Sequence, residues 1–420
     1  MRRYVVVGNS AAGVSAIRSI RAYDGSGPIT LVSEEPYPFY SRVLLTHYVA
    51  GRVPRERLFL VGEGFYRVHG VEVLLGVRVV GLDVYGRRLE LSDGRVIPYD
   101  VLLVATGARP VLARPFSPAR EGVMGLRFLG DAERLRRATA AGARVAVVGG
   151  GPAGIKLACA LREAGGNPTL LVSSPHILSQ VADDEAALLL ESRLAAHGLR
   201  VRCGVEVREV AGGPHGVEGL VLSDGTCVAC DLVVVCKGVE PRAELLAGKA
   251  EVRRGVVVDD RMRTSLPEVY AAGDVVECTD VAWGQGRVGA IWPHAVAQGK
   301  VAGANMAGVH LLFRGALARN SLDVFGLPFV SMGVTRVPPE PGWSSQVLRD
   351  GDAYLKLVFR GGRIVGAVLV GCAGLAGVIQ AAIRRGDGAW QQRIAIAGIP
   401  AERAREVCQG GIPGAEGSGG

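Results

Sequence analysis

A glycine-rich fingerprint that occurs twice is the feature that most constrains this chain. The two copies read Gly8-Asn9-Ser10-Ala11-Ala12-Gly13 and Gly149-Gly150-Gly151-Pro152-Ala153-Gly154. Each copy follows a short apolar run typical of a buried parallel strand, and each opens a stretch with helical character. Such a turn places a pyrophosphate on a helix N-terminus, because glycine permits the tight turn and the close approach of the backbone. Two copies in the same context predict that one chain binds two dinucleotides.

Composition excludes several classes of protein. The 420 residues suffice for two or three domains, and contents of 49% hydrophobic and 21% charged residues are typical of a globular chain. No apolar run reaches the ~20 residues of a membrane span, and Met1 leads almost directly into the first strand, so we expect a cytoplasmic protein. The net charge of +8 comes without basic runs interleaved with aromatic residues, which argues against nucleic-acid binding. The basic balance fits either an ordinary surface or a docking face for an acidic protein.

The eight cysteines are scattered along the chain, and we expect them to be reduced. The close pair Cys227 and Cys230 lies in a turn that feeds a strand, and no second pair supplies the further ligands that zinc requires. We therefore predict no metal site and interpret this pair as part of strand packing.

Both fingerprints belong to units with the same internal order, and each unit closes with a buried strand and a glycine turn, at Gly107 and Gly238. We predict an α/β protein with two Rossmann-like dinucleotide-binding domains and a C-terminal α+β domain. Two apolar runs joined by Gly361-Gly362 predict a hairpin in the last domain. The predicted boundaries are 1–112 with 248–320 for the first domain, 113–247 for the second, 321–395 for the third, and 396–420 for a partly disordered tail.

Five motifs follow one another along the chain. They are the two fingerprints, Ala105-Thr106-Gly107, the segment Thr264–Asp274 that ends in Tyr-Ala-Ala-Gly-Asp, and Ile291-Trp-Pro-His-Ala-Val-Ala-Gln-Gly299. In this order and spacing they resemble the FAD-dependent pyridine nucleotide oxidoreductases of the two-dinucleotide-fold class. The chain is most similar to NADH:rubredoxin reductases, the flavin part of NADH-dependent nitrite reductases, and flavoprotein subunits of larger oxidoreductase complexes. The resemblance implies that hydride passes from the nicotinamide to FAD.

The resemblance assigns FAD to the first fold. Residues 8–13 would hold the pyrophosphate, Glu34 the ribose hydroxyls, and Asp274 the ribityl chain, while Arg42 would lie beside the flavin. The helix that begins near Pro293 would direct its positive end at the flavin pyrimidine. The predicted FAD contacts are Gly8, Ser10, Ala11, Ala12, Gly13, Glu34, Arg42, Ala105, Thr106, Gly107, Arg109, Gly273, Asp274, Pro293, His294 and Ala295.

The resemblance assigns NAD(P)H to the second fold. The predicted contacts are Gly149, Gly151, Pro152, Ala153, Gly154, Ser173 and Gly238. NADH-binding members of the family carry an acid after the second strand of this fold, where this chain has Ser173-Ser174-Pro175-His176. An acid for the 2′-hydroxyl and an arginine for a 2′-phosphate are both missing from this segment. NADH is favoured over NADPH, because the missing arginine argues more strongly against binding of a 2′-phosphate than the missing acid argues against binding of NADH. NADPH stays open.

Two departures from the family affect the chemistry. The redox cysteine of this superfamily would fall near residues 40–47, where the chain has none, so disulfide reductase and peroxidase activities are disfavoured. The family's Lys and Glu pair near the nicotinamide is replaced by His47 and Lys156, which we predict to be catalytic residues. Three alternatives are open for Lys156: pairing with an acid such as Glu34 or Glu35, contact with a cofactor, or a solvated position on its helix.

These observations predict an FAD-dependent NAD(P)H:acceptor oxidoreductase that works without a redox-active cysteine. Its partner would be an acidic electron carrier of the rubredoxin or ferredoxin type, or a metalloenzyme subunit, because the chain has no iron–sulfur motif of its own. The alternatives are a flavoprotein subunit without freestanding turnover and an NADH oxidase. The oligomeric state stays open.

Overall fold

Four successive stretches of chain build the molecule, and the computed structural model describes residues 1–213 and 216–386. The first stretch forms β1 (Tyr4–Val7), α1 (Ala11–Tyr23), β2 (Ile29–Ser33), α2 (Leu45–Val49), α3 (Glu63–Val68), β3 (Val71–Leu75), β4 (Val79–Asp83), β5 (Arg88–Leu91), β6 (Val96–Pro98), β7 (Val101–Val104) and β8 (Ala108–Pro110). The second forms β9 (Val123–Met124), α4 (Leu129–Ala140), β10 (Val145–Val148), α5 (Pro152–Glu163), β11 (Thr169–Leu171), α6 (Asp184–Ala196), β12 (Arg200–Arg202), β13 (Val207–Ala211), β14 (Gly219–Leu222), β15 (Cys227–Ala229), β16 (Leu232–Val235) and β17 (Val239–Pro241).

The third stretch returns to the first fold and the fourth forms the C-terminal sheet. The third consists of β18 (Val256–Val257), β19 (Val269–Ala271), β20 (Val276–Asp280), β21 (Gln285–Val288) and α7 (Trp292–Met306). The fourth consists of β22 (Arg319–Val324), β23 (Leu327–Gly333), β24 (Trp343–Asp350), β25 (Ala353–Arg360), β26 (Arg363–Val370) and α8 (Ala376–Arg385). Among the residues described, no helix is both long enough and apolar enough to cross a membrane.

The first fold is a five-stranded parallel sheet in the order β19-β7-β1-β2-β3. Strands β1 and β7 are buried at every residue, because α1 and α7 cover one face of the sheet and the small antiparallel sheet β4-β5-β6 covers the other. Strand β19 pairs with β7 in parallel, with Val269 opposite Leu102. Residues on both sides of the second fold therefore share one sheet, while the domain boundaries at 112, 247 and 320 stay a prediction.

The second fold repeats this plan. Its parallel sheet has the order β12-β11-β10-β16-β9, and the antiparallel sheet β13-β14-β15 covers one face. The first glycines of the two fingerprints occupy equivalent turns, with φ values of 119° at Gly8 and 124° at Gly149. A Cβ atom on either would overlap the carbonyl oxygen of a neighbouring strand end, at Ala105 and at Cys236. Both positions require glycine, and the predicted pair of Rossmann-like folds is confirmed.

Two short strands carry the chain between the folds. Strand β8 leaves the first fold and β17 leaves the second, and they pair antiparallel with Arg109 opposite Glu240. Arg109 Nε donates to Glu240 Oε1 at 2.5 Å. The chain thus passes between the two folds through one two-stranded ribbon, in which equivalent linkers face each other.

The C-terminal sheet packs against the second fold. Its order is β22-β23-β26-β25-β24, and the predicted hairpin is present as β25 and β26. Asp183 joins the two units, because its carboxylate caps α6 at the Ala186 amide and also accepts from Lys356 Nζ at 2.7 Å and Tyr354 Oη at 2.6 Å. The predicted end of this domain, 387–395, and the tail 396–420 lie outside the described residues.

Candidate functional site

A cavity of about 660 Å³ lies at the carboxyl ends of β1 and β7, between the first fingerprint, the two linkers and the start of α7. Thirteen of the residues predicted to bind FAD line it. They are Gly8, Ser10, Ala11, Ala12, Glu34, Arg42, Ala105, Thr106, Gly107, Arg109, Gly273, Asp274 and Ala295. Gly13 lies one turn into α1, where a Cβ would overlap the carbonyl oxygen of Gly8. The site therefore brings together segments that are up to 287 positions apart, from Gly8 to Ala295.

The helices that follow the fingerprints are open to an anion at their N-termini. The N-cap residues are Ser10 for α1 and Gly151 for α5; neither side chain caps its helix, and neither first turn contains an acid. Helix α6 is different, because Asp183 caps it and two acids occupy its first turn. Unpaired amides and the helix dipole favour a phosphate at α1 and α5. The fingerprint turns therefore fit dinucleotide pyrophosphates.

Paired arginines form one wall of the cavity. Arg42 Nη2 lies 2.5 Å from Glu35 Oε2, and Arg127 Nη2 lies 2.6 Å from Asp274 Oδ2. The Nε atom of Arg127 is buried without a hydrogen-bond partner in the part of the chain that the structure describes.

Glu34 makes a two-point ion pair across the cavity with Arg242, whose Nη2 donates to Oε2 at 2.7 Å. The hydrogen bond from Arg242 holds the pKa of the Glu34 carboxyl below its usual value. Glu35 is paired with Arg42, as described above. The alternative that Lys156 pairs with Glu34 or Glu35 is therefore wrong, because both acids are taken by arginines that are distant in sequence.

Lys156 and His47 are brought together where α5 meets α2. Burial lowers the pKa of His47, and the positive charges of Arg52 and Lys156 lower it further. Burial also lowers the pKa of Lys156, which has no ion-pair partner among the described residues. The Nδ1 atom of His47 is buried and has no partner in the same part of the chain. Neither residue lines the cavity, so their catalytic role stays a prediction.

Helix α7 separates the first cavity from a second one. Trp292 and Ala295 line the first cavity, whereas the side chains of Pro293 and His294 line the second. His294 is buried, with Nε2 accepting from the Leu317 amide and Nδ1 placed to donate to the Gly289 carbonyl, both at 3.1 Å. Pro293 and His294 thus line the second cavity rather than the first, because successive positions at the start of a helix point in different directions, and their predicted contact with FAD stays a prediction.

The second cavity, of about 370 Å³, is strongly basic. Lys300, Arg314, Arg319 and Arg384 line it, and none of its lining residues is an acid. Among the residues described, none of these four cations forms an ion pair. Burial lowers the pKa of Arg384, and the charge of Arg319 lowers it further. This cavity, called the basic cavity below, is lined by four cations without an ion-pair partner in the described part of the chain, although the nearby carboxylate of Asp280 raises the pKa of Arg384.

The residues predicted to bind NAD(P)H lie at one edge of the second sheet. Gly149 and Gly151 follow β10, Ser173 stands two residues after the end of β11, and Gly238 follows β16. Pro152, Ala153 and Gly154 form the first turn of α5. Because these strands are neighbours and parallel, their carboxyl ends meet at the same edge. The arrangement fits the dinucleotide site that the sequence predicts.

Several of the described cysteines are buried. Cys159, Cys203, Cys227, Cys230, Cys236 and Cys278 are free thiols, and none of the seven described cysteines lines either cavity. Burial raises the pKa of Cys159, Cys203 and Cys236 to about 12, which disfavours their thiolates. Among the same residues, no group of three or more His, Cys, Asp or Glu side chains is placed to bind a metal ion.

The cavity-lining residues that were not among the predicted contacts include Asn9, Arg127, Phe128, Arg242 and Trp292. Asn9 belongs to the first fingerprint and Trp292 to the motif at residues 291–299, so their positions in these motifs indicate that they lie near the cavity. Arg127 and Arg242 carry no local signal, because only the fold brings them to the cavity.

Comparison with protein families identifies the chain. Residues 2–299 match the model of the pyridine nucleotide-disulphide oxidoreductases. The chain belongs to this family. Residues 319–387 match the C-terminal domain of rubredoxin NAD⁺ reductases, which corresponds to the sheet of β22–β26 and α8. The pyridine nucleotide-disulphide oxidoreductase family and its NADH-dependent members assign FAD and NADH as the cofactors, and the chain is an FAD-dependent oxidoreductase.

Relatives and a solved structure agree with this assignment. The NADH-dependent phenylglyoxylate dehydrogenase subunit epsilon of Aromatoleum evansii is 33% identical over 362 residues, which are 85% of each protein. The nitrite reductase [NAD(P)H] of Bacillus subtilis is 30% identical over 88% of this chain, and the match spans 46% of that longer enzyme. The ferredoxin reductase for the CYP199A2 system of Rhodopseudomonas palustris superimposes with a TM-score of 0.85 at 26% identity, covering 96% of this chain and 100% of that one.

Proposed function

We propose that this protein transfers electrons from NADH through FAD to an acidic protein carrier or a metal-containing partner subunit, with no protein thiol in the path. The observation that carries the proposal is the cavity enclosed by the first fingerprint, α7 and the two linkers, which has no cysteine among its lining residues. FAD, when bound, would accept a hydride from NADH and release electrons singly to the acceptor. The residues of the chain bind the cofactors, orient them and set the local charge.

The first fold would hold FAD by complementary charge. The open N-terminus of α1 would bind the pyrophosphate, and Asp274 would accept from a ribityl hydroxyl. The positive end of α7, where Ile291 provides no side-chain cap, would face the flavin. Arg127, which lines the same cavity, would hold the Asp274 carboxylate in place beside the cofactor.

The second fold would bind NADH through the open N-terminus of a helix, as the first fold would bind FAD. The amides at the start of α5 would bind its pyrophosphate. Lys156 lies in the next turn of this helix, beside His47. We propose that these two side chains lie near the junction of nicotinamide and flavin, where an uncompensated cation would stabilise negative charge on the reduced cofactor.

The basic cavity is proposed as the docking site of the acceptor. Its four cations would attract an acidic surface and speed up encounter. Helix α7 lies between this cavity and the cofactor cavity, so a docked carrier would be separated from the flavin by little more than one helix. The names of the relatives support both kinds of acceptor, since one is a reductase of a ferredoxin and another is a subunit of a larger dehydrogenase.

The test compares two acceptors with the purified, FAD-loaded protein and NADH. A neutral quinone such as menadione reports flavin reduction, and a rubredoxin or a [2Fe–2S] ferredoxin reports delivery to a carrier. In Arg319→Glu combined with Arg384→Glu, we expect carrier reduction to fall at least about tenfold while menadione reduction is kept. Arg88→Glu, at an exposed position of strand β5, is the matched control.

Three results would contradict the proposal. Carrier reduction that is unchanged in the double variant would remove the basic cavity from the electron path. NADH consumption by oxygen as fast as by any carrier would favour an NADH oxidase. A lack of menadione reduction by the FAD-loaded wild type would mean that the chain does not turn over on its own.

A further inference from the structure

The two dinucleotide folds can be compared residue by residue through their backbone hydrogen bonds. In the first fold the Gly8 amide donates to the carbonyl of Val32 at 2.8 Å, and Glu34 stands two residues after that acceptor. In the second fold the Gly149 amide makes the same bond, also at 2.8 Å, to the residue that stands two before Ser173. Ser173 therefore occupies in the second fold the position that Glu34 occupies in the first.

This position governs the choice between the two nicotinamide dinucleotides. A carboxylate here accepts hydrogen bonds from the ribose hydroxyls and repels a 2′-phosphate, whereas a nearby arginine favours the phosphate. A serine hydroxyl can accept from a 2′-hydroxyl and can also donate to a phosphate oxygen. Ser173 is exposed, so its hydroxyl is free to reorient toward either group.

The charged side chains of the adjoining segments are already paired. Arg202, at the end of the neighbouring strand β12, donates to Asp224 at 2.6 Å on the side of the sheet covered by β13–β15. His176 Nε2 lies 2.9 Å from Asp184 Oδ1. These pairs offer neither a free cation for a 2′-phosphate nor a free carboxylate directly after β11.

We propose that the second fold binds NADPH as well as NADH, with dissociation constants that differ by less than about tenfold. Ser173 is the residue that permits this lack of discrimination, because it neither repels the phosphate nor requires it. The inference rests on the proposed role of the second fingerprint in binding the nicotinamide dinucleotide.

The experiment measures binding rather than turnover. The FAD-loaded protein is titrated with NAD⁺ and, separately, with NADP⁺ by isothermal titration calorimetry, and the ratio of the two dissociation constants is compared among variants. For the wild type we expect a ratio within tenfold. Ser173→Asp should weaken NADP⁺ at least tenfold relative to NAD⁺, and Ser173→Arg should shift the ratio in the opposite direction. Ser345→Asp, on the exposed face of β24 in the C-terminal sheet, is the matched control and should leave the ratio unchanged.

The possible failures are distinguishable. If NAD⁺ binds and NADP⁺ binds more than tenfold more weakly, the inference is overturned while the proposed function stands. If the ratio is the same in Ser173→Asp, Ser173→Arg and the wild type, Ser173 does not face the ribose, and the inference is also overturned. If neither nucleotide binds to a protein that retains its FAD, the proposed function itself is wrong.

Discussion

Replacement of Asp274 by alanine is the sharpest test of the FAD site. Asp274 follows β19 through Gly273, whose φ of 87° turns the chain toward the cavity. Its carboxylate accepts from Arg127 at 2.6 Å, and the two side chains are only 14% and 19% exposed. If this carboxylate also accepts from a ribityl hydroxyl, its loss removes a charge-assisted hydrogen bond of about 1.5–3 kcal/mol. FAD should therefore bind about 10- to 150-fold more weakly.

The assay is a titration of FAD into the apoprotein, followed by the quenching of protein fluorescence. Asp274→Asn keeps the shape and an acceptor oxygen while it loses the charge, so its effect should be smaller than that of Asp274→Ala. Asp93→Ala removes an exposed carboxylate that is paired with Arg95 on a hairpin turn, and it should leave the affinity for FAD unchanged. If Asp274→Ala binds FAD within about threefold of the wild type and its apoprotein unfolds normally, Asp274 does not contact the cofactor.

Four further predictions concern other parts of the site. Lys156→Glu and Lys156→Ala should lower the flavin midpoint potential at unchanged FAD content, because a unit charge about 6–8 Å away contributes about 2–3 kcal/mol at an effective dielectric constant of about 20; equal potentials in a redox titration would contradict this. Gly154→Ala should abolish NAD⁺ binding and retain FAD, while Gly13→Ala should do the reverse, because each added Cβ overlaps a carbonyl oxygen of its own fingerprint turn; parallel losses of both ligands would refute two separate sites. Serine substitutions of the cysteines, made in small groups, should leave NADH-dependent menadione reduction per flavin unchanged; one group that abolishes it while FAD remains bound would identify a redox thiol. Burial lowers the pKa of His294 from 6.5, so the unfolded chain takes up more protons and the free energy of unfolding should fall as the pH falls below 6.5; His294→Gln should flatten this slope in denaturant titrations, and an unchanged slope would assign it to other groups.

Local backbone requirements made much of this protein predictable. The turns after β1 and β10 need glycine with positive φ, and the helices after them need first turns without an acid. Both requirements leave a mark within a few consecutive residues, as does the glycine turn before Asp274. The two dinucleotide folds and the position of Asp274 could therefore be inferred from short segments.

The ion pairs between residues that are distant in sequence could not be predicted from short segments. Glu34 meets Arg242 from 208 positions away, and Asp274 meets Arg127 from 147 positions away. The basic cavity likewise collects cations from α7, β22, α8 and the segment between them. The strength of an ion pair depends on distance and burial, and neither quantity is encoded in the residues next to a charge. The sequence by itself therefore determined where phosphates can approach the backbone, while only the tertiary structure decided which charges remain free to meet a cofactor or a partner.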